Sequence, residues 1–181
     1  MTEGADPHDE LRSAIDGLSD NQARTMLNWA RTVAEQRGRL AQQGRTLTQA
    51  VAAGEPVLGT LGELLGIERD SIEPGRVRMS LTVDPTWHNP NGVLHGGVIY
   101  TMVDYCMGAA VHTGLAEGQT CATIELKVNY LATVREGKLT VETNVVKLGR
   151  NIAFTESKVA DENGRLVATA SGSMFVIQPI S

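Results

Sequence analysis

The sequence predicts an α+β domain in which an antiparallel sheet wraps one central helix, preceded by a helical extension. Three observations carry that expectation. From Gly96 to Ala116 the chain is apolar on every side, with Asp104 its only formally charged residue, as in a helix at the middle of a domain. Before it, Val77, Met79, Leu81 and Val83 alternate with Arg78, Ser80 and Thr82, the pattern of a half-buried strand. After it come four strand-like segments with no helical period between them, which favours antiparallel pairing around the helix.

Bulk properties narrow the function. The chain of 181 residues suits one well-buried domain with an appendage, and a hydrophobic content of 41% is ordinary for a globular protein. A net charge of -5 argues against a general nucleic-acid binder, and an aromatic content of 4% argues against a base-stacking platform. Cys106 and Cys121 are the only cysteines, and no Cys/His spacing resembles a zinc site; both are expected as free thiols, with no metal. Met1 to Glu10 lack the basic and apolar regions of a secretory signal, so the cytoplasm is the expected compartment. The apolar run after Gly96 holds a mid-run Asp and has no Lys/Arg flank, which points to a buried helix and not to a membrane span.

In chain order, residues 1–55 read as the helical extension and 56–181 as the main domain. Asp6-Pro7 starts a short helix near His8 to Asp16, ended by Gly17. Ser19 and Gln22 have capping-box spacing, with Leu18 in the staple position, and open a helix from Asp20 to about Gln43. Its apolar stripe is expected along Ala23, Met26, Leu27, Ala30, Val33, Ala34, Leu40 and Ala41. Arg24, Arg31, Arg37, Arg39 and Arg45 form a solvated helix face or the contact for an acidic partner. Leu58, Leu61, Leu64 and Leu65 suggest a short helix closed by Gly66, and Pro74-Gly75 a turn.

Beyond the central helix, Ala122, Ile124, Leu126, Val128 and Tyr130 alternate with Thr123, Glu125, Lys127 and Asn129. A second segment covers about Lys138 to Leu148, broken by Gly149-Arg150-Asn151. The third runs from Ile152 to Ala160, Asp161 to Gly164 make a hairpin turn, and the last extends from Arg165 to Ile177. These four are expected to form a meander.

The chemistry concentrates between Asn89 and Asp104. Amide groups at a helix start attract negative charge, and Gly96 and Gly97 let an oxygen approach with no side chain in the way. A thioester carbonyl placed there would be polarised and its oxyanion stabilised. Asp104 has no Lys or Arg at helical-neighbour positions; its plain structural explanation is a hydrogen bond to backbone or to Thr101, while Gly108 clears space beside it. At about 1.5 Å per residue, Asp104 lies roughly 12 Å along the axis from Gly96, so the two cannot serve one carbonyl within one chain. If they cooperate, the helix start must come from a second subunit packed antiparallel, which predicts a dimer with two symmetry-related sites.

Asn89-x-x-Gly92-x-x-His95-Gly96-Gly97, with Asp104 nine positions after the histidine, resembles the hotdog-fold acyl-CoA thioesterases of the phenylacetate-pathway type. The stretch Thr123 to Leu131 also resembles that family's strand after the helix, and the likeness covers about Val57 to Ile177. The resemblance implies that Asp104 is nucleophile or general base, that Gly96 donates its amide to the thioester oxygen, and that Asn89 positions water or carbonyl. It implies that His95 shapes the turn, that Thr123 assists the water, and that Gly97 lies at the substrate. Coenzyme A would be the carrier, with no separate cofactor, and dimers pairing into tetramers the assembly. Arg150 and Asn151 are candidates for the coenzyme A phosphates, against a solvated turn as the plain alternative. His88 and His112 are expected to be structural, and the cysteines to lack a base partner.

The activity this implies is hydrolysis of a medium-chain or aromatic acyl-CoA to free acid and coenzyme A. A hotdog hydratase or dehydratase is the second enzyme reading, but the Asp-x-Asn-Pro-x-His pattern is absent, since Asn91 follows Pro90 and leads to Gly92. The rival from another class is a non-catalytic acyl-CoA sensor whose basic helical arm contacts DNA or protein. Retention of Asp104 and Asn89 argues against it.

Overall fold

The computed structural model describes residues 13, 15–44 and 61–178. They fall into two compact units divided between Leu64 and Leu65. The expected boundary at residue 55 lies outside the described residues, as do Leu58, Arg45 and most of the short helix before Gly17.

In the first unit, helix α1 (Asp20–Gln42) starts as its sequence directs. Gln22 N donates to Ser19 Oγ at 3.4 Å and Ser19 N donates to Gln22 Oε1 at 2.7 Å, so both orphan amides of a capping box are satisfied. The covered stripe differs from the expected one. Trp29 and Val33 are half-buried and Gln36 and Leu40 are buried, at the spacing of one helix face, whereas Met26 and Leu27 are exposed. The large indole, not the scattered alanines, marks the face that is covered. Arg24, Arg31, Arg37 and Arg39 are exposed. A single helical turn, α2 (Leu61–Leu64), completes the unit.

Gly66 then takes φ +71, a conformation that suits glycine, and admits the chain to the second unit. Strands β1 (Glu68–Glu73) and β2 (Arg76–Thr82) pair antiparallel through a turn at Gly75, φ +74. Periodicity gave no sign of β1, whose residues are exposed at every position. A 3-10 turn (Pro85–Trp87) leads to α3 (Gly96–His112), followed by β3 (Thr120–Tyr130), β4 (Lys138–Leu148), β5 (Ile152–Asp161) and β6 (Leu166–Ile177). All six strands form one sheet, in the order β1-β2-β4-β5-β6-β3.

Only β4, β5 and β6 make a meander; β3 pairs with β6 at the far edge, and β2 takes the place beside β4. The helix accounts for the departure, because it enters after β2 and hands the chain to the opposite edge before β4 returns. The Asp161 turn behaves as expected: its carboxylate accepts from Asn163 N and Arg165 N, both at 3.0 Å, and Gly164 takes φ +79.

Helix α3 is buried on one side only. Val98, Ile99, Met102, Val103, Cys106, Met107, Ala110 and Val111 repeat in pairs every four residues and pack into the curved sheet with Val77, Met79, Leu139, Val141 and Val159. Each large side chain removed from water here contributes about 1.5–3 kcal/mol. The intervening positions, among them Tyr100, Thr101, Asp104 and Gly108, stay partly or wholly exposed although the helix is apolar all round. Among the described residues no helix is long and apolar enough to cross a membrane.

Candidate active site

A tight loop leads into α3. Asn89 commits its backbone and its side-chain oxygen locally: that oxygen accepts from Asn91 N at 2.9 Å, its carbonyl accepts from Gly92 N at 2.9 Å, and its own amide donates to Val93 O at 2.8 Å. Gly92 takes φ +68, which closes the turn. His95 is the N-cap, its Nδ1 accepting from Gly97 N at 2.9 Å. That bond fixes the proton on Nε2 and occupies the Gly97 amide. The Gly96 amide is left without a partner among the described residues, at the positive end of the helix.

Glycine at position 96 permits a close approach. A Cβ there would stand 3.2 Å from the Tyr130 ring, and Tyr130 Oη donates to Gly96 O at 2.9 Å. Burial, reinforced by Tyr100, raises the Tyr130 phenol above its ordinary pKa, so it stays a protonated donor. Neither tyrosine was singled out from the sequence, because a phenol reaching back to a helix start leaves no local pattern.

Two turns further along α3, Asp104 is half-buried. Its partner is not Thr101, whose hydroxyl donates to Gly97 O at 2.9 Å, but Thr123 of β3, whose Oγ1 donates to Asp104 Oδ1 at 2.7 Å. Strict alternation would turn Thr123 away from Ala122 and Ile124 and leave those two facing the helix. The observed register shifts between Thr123 and Glu125: Thr123 lies opposite the buried Met174, and beyond the bulge Leu126 lies opposite Gly172. The extra residue, Ile124, reverses the phase of the strand. Cys121 and Thr123 therefore lie on the side of the helix, Cys121 half-buried and Thr123, like Ala122 and Ile124, exposed.

Asp104 and Thr123 open onto a cavity of about 580 Å³. Helix α3 lines it with Tyr105, Gly108 and Ala109 as well, and β3 and β6 add Cys121 and Met174. A Cβ on Gly108 would meet nothing within 4 Å, so the space beside the acid is open and does not depend on this residue being glycine. Arg69 and Ile72 of β1 complete the wall. Residues from both edge strands thus meet at one cavity, a consequence of the sheet curling around α3.

The expectation that neither cysteine has a base nearby needs correction in its geometry. Cys121 Sγ lies 3.4 Å from His112 Nδ1. That nitrogen also lies 2.9 Å from Gly108 O, a pure acceptor, so it carries the proton and is no base toward sulfur. Burial first, then the Asp104 charge, pushes the Cys121 thiol pKa up, further from a nucleophile. His112 Nε2 is 3.3 Å from Thr120 Oγ1, and the ring also lines the cavity.

Gly96, Gly97, His95 and Asn89 cluster at the start of α3 and Asp104 with Thr123 at its middle; within one chain the structure does not bring the two groups together. Arg150 and Asn151 are exposed at the β4–β5 turn and do not line the cavity. Their carbonyls accept from Gln178 Nε2 at 3.0 Å and Val176 N at 2.8 Å. Among the described residues no group of three His, Cys, Asp or Glu is placed to hold a metal.

Residues 91–168 match the model of the thioesterase superfamily. A Saccharolobus solfataricus protein provisionally named an esterase is 35% identical over 112 residues, 62% of this chain and 74% of its own length. The 1,4-dihydroxy-2-naphthoyl-CoA hydrolase of Listeria monocytogenes is 28% identical over 64% of this chain and 94% of its own. The fold is also shared with a solved structure from Streptococcus pneumoniae, described as a hypothetical thioesterase protein with coenzyme A, at TM-score 0.58 and 27% identity over 64% of this chain and 88% of that one. With one helix cradled by a six-stranded antiparallel sheet and these relatives, the chain belongs to the thioesterase superfamily and is a hotdog-fold thioester hydrolase.

Proposed function

We propose that the chain hydrolyses acyl-CoA thioesters bearing a medium-chain or aromatic acyl group, and that it does so as a dimer. The observation that carries this reading is Asp104, hydrogen-bonded by Thr123 at 2.7 Å beside a cavity and without a cationic partner among the described residues. Coenzyme A, present in the pneumococcal relative and named in the hydrolase of Listeria, supports the carrier.

The dimer follows from distance and from surface. Gly96 stands about 12 Å from Asp104 along the helix axis, so its free amide serves the Asp104 site of a second copy. Tyr100 on α3 and Ile124 and Tyr130 on β3 are 41%, 55% and 51% exposed, and β3 is an 11-residue strand with an unpaired edge. An apolar surface beside a free edge suits a second copy running antiparallel. Pairing of dimers into tetramers is the larger assembly proposed.

The carbonyl oxygen then accepts from Gly96 N–H of the second copy while Asp104 acts at the carbonyl carbon. As general base, Asp104 takes a proton from water, the hydroxyl adds, the oxyanion collapses, and coenzyme A leaves as its thiolate and takes the proton. As nucleophile, its carboxylate displaces the thiolate to form a mixed anhydride, which water hydrolyses. Thr123 holds the carboxylate in either route. His95 keeps the helix start in shape, Gly97 lies against the substrate, and Asn89 orients water or carbonyl from the loop. Arg150 and Asn151 contact the coenzyme A phosphates. No metal or separate cofactor enters the reaction, and free thiols at Cys106 and Cys121 support a reducing, cytoplasmic setting.

Thiol release from a panel of medium-chain and aromatic acyl-CoAs tests the reading. Asp104→Asn is expected to lower kcat by about 10²–10⁴ with acyl-CoA binding retained; full activity in that variant would overturn it. Single turnover in ¹⁸O-water separates the routes, since a general base sends the heavy oxygen into the product acid and a nucleophile opened at its own carbonyl keeps it on Asp104.

A further inference from the structure

The wall of the cavity opposite Thr123 has no part in the hydrolysis proposed above. It is β1, and it presents a cation. Arg69 pairs with Met79 and Ile72 pairs with Val77, and both partners are fully buried in the face of the sheet toward α3. Residues three apart on a regular strand point to opposite faces. Here the register shifts between Arg69 and Ser71, and Asp70 is the extra residue, its carboxylate accepting from Ser80 Oγ at 2.7 Å. The bulge thus places Arg69 and Ile72 on the same inner side, and both line the cavity with Asp104.

Arg69 makes no ion pair among the described residues, and no other Lys or Arg lines this cavity. The ionisable groups around it are Asp104, Tyr105, His112 and Cys121. A ligand carboxylate entering here meets the negative charge of Asp104, and a guanidinium on the facing wall offsets that repulsion with directed N–H donors. Ile72, Ala109 and Met174 supply apolar surface for the carbon skeleton.

We propose that Arg69 is a specificity residue that selects acyl groups carrying a second, anionic group, a carboxylate, over plain alkanoyl groups of the same length. This rests on reading the cavity as the thioester site. Ile72 and Met174 hold the chain, and Arg69 receives the carboxylate away from Asp104. A plain structural use for an inward charge on an edge strand is to block sheet extension, and the experiment separates the two.

Binding of hydrolysis-resistant thioethers is measured by calorimetry on the full chain. S-carboxypentyl-CoA is compared with S-hexyl-CoA, and S-carboxypropyl-CoA with S-butyl-CoA, for the native protein, Arg69→Met and Arg69→Lys. The native protein is expected to bind one carboxylated member about tenfold more tightly than its plain partner, the scale of a charge-assisted pair in a partly exposed site. That preference should vanish in Arg69→Met, persist in part in Arg69→Lys and weaken with salt. Equal affinity for both members of both pairs in the native protein would overturn the proposal. So would an equal loss for every thioether and for free coenzyme A in Arg69→Met, since Arg69 would then hold the carrier's phosphates. A changed oligomeric mass in Arg69→Met with ligand preference intact would assign Arg69 to edge protection instead. A carboxylate preference in a protein that hydrolyses no thioester would leave Arg69's role standing and sink the hydrolase reading.

Discussion

The two edges of the sheet are built on opposite principles. At one edge β1 is six residues long, exposed throughout and mostly charged, a sequence that discourages another strand from adding to it. At the other, β3 runs for 11 residues and carries Ile124 and Tyr130 in the open, beside the uncovered Tyr100 of α3. One edge ends the sheet, and the other is suited to continue it. Yet both contain a bulge near the same cavity, and each bulge turns one polar side chain inward, Arg69 from β1 and Thr123 from β3. At β1 and β3 only one neighbouring strand has to follow the shift, because each lies at an edge of the sheet.

A charge on the open edge should break the contrast most severely. Ile124→Lys is expected to convert the assembly to monomers and reduce kcat/KM by at least about two orders of magnitude, since a lost oxyanion donor alone costs about 10²–10³. The control, Ser71→Lys on β1, should leave mass and activity unchanged. Light scattering with the thiol-release assay reads both, and an active monomeric Ile124→Lys would sink the shared-site model.

A subtler change tests the inward turn of the β3 bulge. Thr123→Val keeps the shape of the strand and removes the hydroxyl that donates to Asp104. Losing one hydrogen bond to a charged group costs about 1.5–3 kcal/mol, so kcat should fall at least about tenfold, and Thr123→Ser should recover most of it. Equal activity in the valine variant would leave the bulge without a catalytic purpose.

The smallest effect contrasts the cavity with the sealed centre of the sheet. Cys121 lines the cavity, whereas Cys106 is fully buried, with its Sγ 3.4 Å from Val77 O, and burial pushes its pKa up to about 11. From about pH 9 the unfolded chain gives up that proton while the folded chain keeps it. Stability should therefore fall as pH rises from 9 to 11, by at most about 2–3 kcal/mol from this group. Urea titrations of the native protein and Cys106→Val across that range check the slope, and a thiol reagent at neutral pH should label Cys121 and spare Cys106.

Much of this was legible in order along the chain. The capping box at Ser19, the strand through Val77 and Met79, the helix from Gly96 to His112 and the Asp161 hairpin are encoded by neighbours a few residues apart, and local periodicity and turn chemistry report them directly. Asp104 was legible for the same reason, as one charge in an apolar helix, and so was the distance that separates it from Gly96.

Tertiary structure decided what periodicity cannot express. It moved β3 from the meander to the far edge, because strand order depends on which side of the helix the chain emerges. It revealed β1, whose residues show no apolar alternation because neither face of the strand is buried. It also reversed the phase of β3 at Ile124 and gave Asp104 its threonine. A bulge is set by pairing with another strand, so neither inward residue belongs to the pattern of its own segment. Sequence alone marked the acid; the curl of the sheet chose what faces it.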